Sequence, residues 1–81
     1  MGGSMTVIES VVTRLQVIMD EKSISQYDIH KNGGIAKSTI SQILNLKHNK
    51  ITLDILYQIL STIGVSLKEF FDDPIFNEIT D

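Results

Sequence analysis

The amino-acid sequence predicts a single all-α domain of five short helices. Three observations lead there. Apolar residues recur at three- and four-residue intervals through most of the chain, the spacing that lines one face of a helix. A Ser or Thr stands three residues ahead of a Glu or Asp at three separate places, the pattern with which a helix start satisfies its own free N–H groups. No segment alternates polar and apolar residues over five or more positions between turn signals, so no sheet is expected despite many isoleucines and valines.

The first helix is expected over about residues 6–22, because Ile8, Val11, Val12, Leu15, Ile18 and Met19 form one stripe and Thr6 with Glu9 marks its start. Ser25 with Asp28 opens a second helix carrying Tyr27 and Ile29 on its apolar side, with His30 a further candidate, and Gly33-Gly34 ends it. Ile40, Ile43 and Leu44, with Leu46 a further candidate, give a third helix from Lys37 to Asn45 whose other positions are almost all polar. LKHNKI, residues 46–51, reads as a loop. Thr52 then caps a fourth helix with Leu53, Ile55, Leu56, Ile59, Leu60 and Ile63, dense enough to be the central element of a small core, and Gly64 closes it. Ser66 with Glu69 opens a fifth with Leu67, Phe70 and Phe71, and Pro74 ends it. Met1-Gly2-Gly3-Ser4 ahead of Met5 reads as an expression scar, residues 5–73 as the folded domain and 74–81 as an acidic tail holding Ile75, Phe76 and Ile79.

Composition excludes several classes. At 81 residues the chain holds one core, and 42% hydrophobic residues with one proline argue against disorder or a fibrous repeat. With no cysteine there is neither a disulfide framework nor a thiolate metal site, which favours a soluble cytoplasmic protein held by packing alone. No apolar run approaches the roughly 20 residues that span a bilayer, so no membrane role is expected. The net charge of −3 conceals an asymmetry. Between Lys22 and Lys50 five lysines face Asp28 alone, a net of +4, whereas Arg14 and Lys68 face nine acids elsewhere, a net of −7. A positive middle on an acidic protein can present one face to an anionic ligand and turn the other away. His30 and His48 have no third ligand in view, so no metal or other cofactor is expected. Asp20-Glu21 and Asp72-Asp73 are adjacent acids at helix ends, where solvation explains them better than catalysis, and no nucleophile, base and orienting group stand at motif spacing. The chain is not expected to be an enzyme.

SQYDIHKNGGIAKSTISQIL, followed after a loop by ITLDILYQILSTIGVSLKEFF, resembles the helix-turn-helix domains of the phage repressor and Cro-like (XRE) class, from about Thr6 to Phe71. The resemblance lies in the order of parts: a Ser-Gln start to helix two, glycine at the turn, the ST-I core of helix three, and Gly-Val-Ser-Leu between helices four and five. It implies a lambda-repressor-like five-helix fold and a sequence-specific regulator that binds double-stranded DNA. The second helix of the motif, here residues 37–45, would enter the major groove.

The residues of that helix support this reading on their own terms. With Ile40, Ile43 and Leu44 facing inward, Lys37, Ser38, Ser41, Gln42 and Asn45 form the outward stripe, every one a hydrogen-bond donor and none a carboxylate. Base edges demand such side chains: Lys for guanine, Gln for adenine, Ser for either. Ala36 occupies the N-cap, where Ser or Thr would add about 1 kcal/mol, and Lys37 sits in the first turn, where the helix dipole disfavours a cation. Stability alone would choose neither. Residue by residue, the resemblance implies base contacts for Lys37, Ser38 and Gln42, with Ser41 on the same stripe. It implies phosphate contacts for Gln26, Asn45 and Lys47, and Lys50 is added from the loop.

Three departures from the family pattern are visible. His30 stands where a small residue is usual, so it must point outward or open the crossing of helices two and three. Met19 and Leu44 stand where many members carry a buried Arg–Glu pair, a double exchange that leaves no charge stranded. Gly33 beside Gly34 makes a turn looser than most. A homodimer on a pseudopalindrome is expected, since one module has few base contacts; Phe70, Phe71, Ile75, Phe76 and Ile79 are candidates for its surface unless the tail folds onto its own core. The competing expectation, drawn from the overall acidity and the apolar tail, is a protein-binding module such as an antitoxin or accessory subunit.

Overall fold

Four of the five α-helices begin at a side-chain cap the sequence announces: Thr6, Ser25, Thr52 and Ser66. The computed structural model describes residues 5–47 and 50–80, which form α1 (Val7–Lys22), α2 (Gln26–Gly33), α3 (Lys37–Leu44), α4 (Leu53–Ile63) and α5 (Leu67–Phe71), then a 3₁₀ helix, η1 (Pro74–Glu78). His48, the proposed scar at 1–4 and Asp81 lie outside the described residues. Thr6 Oγ1 accepts from the Glu9 N–H at 3.2 Å, and Glu9 Oε1 accepts from the Thr6 N–H at 2.9 Å, closing the box at α1. Thr52 and Ser66 cap α4 and α5 through the N–H groups of Ile55 and Glu69. The five expected helices are all present, and the one β-like pairing among the described residues is an isolated bridge between Met5 and Ile79.

The box at α2 carries a pH dependence. The Ser25 N–H and hydroxyl donate to Asp28 Oδ2 at 2.9 and 3.0 Å, and these bonds, with a smaller pull from Lys31, hold the Asp28 carboxyl below its ordinary value. A carboxyl whose pKa falls on folding stabilises the protein above its unfolded value and loses that contribution as pH drops through the folded one. Thermal melts should therefore show the wild type losing stability on acidification through the aspartate range more steeply than Asp28→Asn, whose amide oxygen can still accept but has no proton to gain.

The predicted stripes are the core. Ile8, Val11, Val12, Leu15, Ile18 and Met19 of α1 are all buried, together with Ile29, Ile40, Ile43, Leu44, Leu56, Ile59, Leu60, Ile63 and Phe70. α2 packs on α3 and α4, α1 on α3 and η1, and α4 on α5. Four predicted apolar positions differ, Phe71 of α5 among them, which is exposed. Tyr27 and Leu53 point to solvent, and Leu46 lies beyond α3 in a left-handed turn.

Helix ends explain that turn. α1, α3 and α4 close with the same two bonds: Ser23 and Ile24 donate back to Asp20 and Met19, Leu46 and Lys47 to Ile43 and Gln42, Gly64 and Val65 to Ser61 and Leu60. The left-handed residue is Gly64 in α4, at no steric cost, but Ser23 and Leu46 at φ 56° in the others, where a side chain costs about 1–2 kcal/mol.

The two turn glycines do different jobs. Gly34 adopts φ 70° and donates to the His30 carbonyl, ending α2. Gly33 is still helical, and α4 presses against it: an added Cβ would overlap the Thr62 hydroxyl and come within 3.3 Å of the Thr62 Cβ. The expected looseness is therefore absent at Gly33, which is a contact point between α2 and α4.

After α5 the chain turns back. Pro74 occupies the first turn of η1, where its missing N–H costs nothing, so it opens a helical turn as well as following the end of α5. Phe76 packs against the core, its ring centroid 5.7 Å from Phe70 and 4.9 Å from Phe71. Phe70 is fully buried and Ile75, Phe76 and Ile79 are half-buried, so of the candidates for a dimer surface Phe71 alone is exposed. Arg14 ties this end down, donating to the Phe70 and Glu69 carbonyls at 2.9 and 3.1 Å and pairing with Asp73 at 3.2 Å.

Candidate nucleic-acid interface

α3 is the helix whose start spends least on stability. Ala36 is its N-cap and makes no side-chain bond, and the first turn holds Lys37 and no acid. Ile40, Ile43 and Leu44 are buried, which fixes the rotation of the helix and leaves Lys37, Ser38, Gln42 and Asn45 exposed. Ser41 is half-buried and accepts from Asn45 Nδ2 at 3.1 Å, so these two form one polar unit near the end of the helix.

The far end of α3 departs from its sister helices. The residue that completes the closing turn is Ile24 after α1 and Val65 after α4, both packed on the core. After α3 it is Lys47, exposed. Here a cation stands where packing would have favoured a hydrophobe. Lys50 is also exposed and shares with Gln42 the lining of a shallow apolar groove of about 270 Å³ over Ile43, Ile51 and Ile55. Gln26 is the exposed first residue of α2 and borders a cleft with Gln16, Asp20 and Leu44. The sequence-predicted residues thus fall on α3, the loop after it and the start of α2.

Met19 and Leu44 are both buried, and a polar link survives beside them, Gln16 Nε2 donating to the Leu44 carbonyl at 3.4 Å. His30 is half-buried and its Nδ1 lies 2.7 Å from the Ile35 carbonyl; because that oxygen can only accept, Nδ1 carries the proton. The histidine braces the turn between α2 and α3. It does so by turning toward the loop and leaving the crossing closed, with Ile29 and Ile40 each 1% exposed beneath.

Tyr27 was not among the sequence-predicted site residues. It is 55% exposed, its ring 6.3 Å from that of His30, and Lys37 Nζ sits 5.9 Å from its centroid. The missed signal was its place directly after Gln26, in a first turn that faces the start of α3.

With this geometry in hand, comparison with known families gives a direct answer. A family model for the Cro/C1-type HTH DNA-binding domain matches residues 14–74, and the chain belongs to that family. No curated protein and no solved structure matches it. Membership makes it a helix-turn-helix domain of the DNA-binding type. No helix among the described residues is long and apolar enough to cross a membrane.

Proposed function

We propose that this protein is a cytoplasmic, sequence-specific regulator that binds double-stranded DNA with α3 in the major groove, without a cofactor and as a homodimer. The observation that carries the reading is the outward face of α3: donors from Lys37 to Asn45, no carboxylate, on a helix with no side-chain cap. Lys37, Ser38 and Gln42 read base edges, with Ser41 beside them held by Asn45. Gln26, Asn45, Lys47 and Lys50 take phosphates on either flank, Gln26 helped by the N–H groups that open α2. Two copies on a pseudopalindrome, half-sites about 34 Å apart, supply the affinity that one short helix lacks.

A second reading has its own support. Leu53 and Tyr57, one turn apart on α4, are 64% and 56% exposed, which suits a protein-binding module such as an antitoxin or accessory subunit. Titration against mixed-sequence duplex over a range of salt separates the two. A DNA-binding regulator shows affinity falling steeply with salt, and Lys47→Ala lowers the logarithmic slope by about one while weakening all sequences alike. Absence of salt-sensitive binding would favour the protein-binding module.

A further inference from the structure

We infer that Tyr27 is a positioning residue for base readout, its ring holding the Lys37 ammonium at the groove-facing corner of the domain; this rests on the DNA-binding reading above. Lys37 is the first residue of α3 and exposed, and among the described residues no carboxylate lies within ion-pair distance of it. The helix dipole repels its charge. What stands beside the ammonium is the Tyr27 ring, with Nζ 5.9 Å from the centroid, inside the range in which the negative face of an aromatic ring attracts a cation.

The ring has a neighbour on its own helix. Tyr27 belongs to the first turn of α2 and sits against His30, whose Nδ1 is bound to the Ile35 carbonyl in the turn leading to α3. Turn, histidine, tyrosine and lysine thus form one chain of contacts across the two helices of the motif. A lysine left to itself has four rotatable bonds and would settle on the nearest phosphate, which carries no sequence information. Restrained by the ring, it spends more of its time where a guanine edge can be met. Tyr27 then governs discrimination more than raw affinity, and the aromatic face is the feature that matters, so phenylalanine should serve.

The test is a double-mutant cycle on selected and random duplexes, using wild type, Tyr27→Phe, Tyr27→Leu, Lys37→Ala and the Leu/Ala double variant, with NMR of the Lys37 side chain in the free proteins. Tyr27 is exposed, so each variant should melt near wild type. Expected are ring-shielded Lys37 methylene shifts in wild type and Tyr27→Phe that vanish in Tyr27→Leu. Tyr27→Leu should also lower the preference for the selected duplex roughly two- to fivefold, equivalent to ~0.5–1 kcal/mol, with binding to random duplex unchanged and no further effect once Lys37 is alanine. Unshielded Lys37 shifts, or equal losses from Tyr27→Leu with and without Lys37, would overturn the proposal and leave the DNA-binding reading standing. If the wild type binds no duplex at any salt, both fall together.

Discussion

Replacing Arg14 with alanine should destabilise the domain by about 2–3 kcal/mol, the lower end of what hydrogen bonds to a charged donor, lost from a mostly buried site, amount to. The Arg14 side chain is 15% exposed, and its guanidinium closes α5 by donating to the Phe70 and Glu69 carbonyls, 56 and 55 residues away in sequence. For a domain of 81 residues, whose total stability is about 4–12 kcal/mol, this is a large fraction, and the melting temperature should fall by roughly 10–20 °C. Two controls divide the effect. Asp73→Asn removes the ion pair but can keep the bond in which Asp73 Oδ1 accepts from the Ile75 N–H, and should cost under about 1 kcal/mol because Asp73 is one-third exposed. Arg14→Lys keeps the charge and loses the fork, and should recover less than half of the loss. An Asp73→Asn cost equal to that of Arg14→Ala would mean that the ion pair, and not the helix end, carries the stabilisation.

Gly33→Ala should cost about 1–3 kcal/mol through overpacking, although alanine is the better helix former. The new methyl would meet the Thr62 hydroxyl, which itself donates to the Gln58 carbonyl at 2.8 Å, while Gln58 Nε2 donates to the Gly33 carbonyl at 3.4 Å. α2 and α4 would have to part, and α2 is the helix against which α3 is set. Thr62→Ala in the same chain removes the obstructing oxygen and methyl, so the double variant should regain most of the stability and DNA affinity lost by Gly33→Ala alone. Denaturant unfolding of the four proteins measures the coupling; additive losses would show that the contact is not the cause.

These two residues also mark the limit of what sequence reveals. Helix starts were legible because a cap and its partner lie three residues apart, as with Thr6 and Glu9, and the rotation of α3 was legible because Ile40, Ile43 and Leu44 leave only one outward stripe. Arg14 was not, since its partners stand more than fifty residues downstream with no local pattern to connect them. Gly33 looked like half of a loose turn because close approach by another helix leaves no trace in local composition. Leu46 was both a further candidate for the α3 stripe and the first residue of the expected loop, and it is the loop that holds it, in a left-handed conformation that bulky residues seldom take. The candidate interface was legible where one helix defines it. Tyr27 was missed because its contact with Lys37 joins two elements across a turn, and an aromatic residue in an amphipathic segment is taken first for core.

The α3 face is tested most directly by selecting bound duplexes from a random pool with the wild type and with Gln42→Ala. The wild type should recover a two-fold motif, and the variant should return the same motif with preference relaxed at one symmetric pair of positions. Recovery of an unchanged motif by Gln42→Ala, or of no motif by the wild type, would contradict this role for the α3 face.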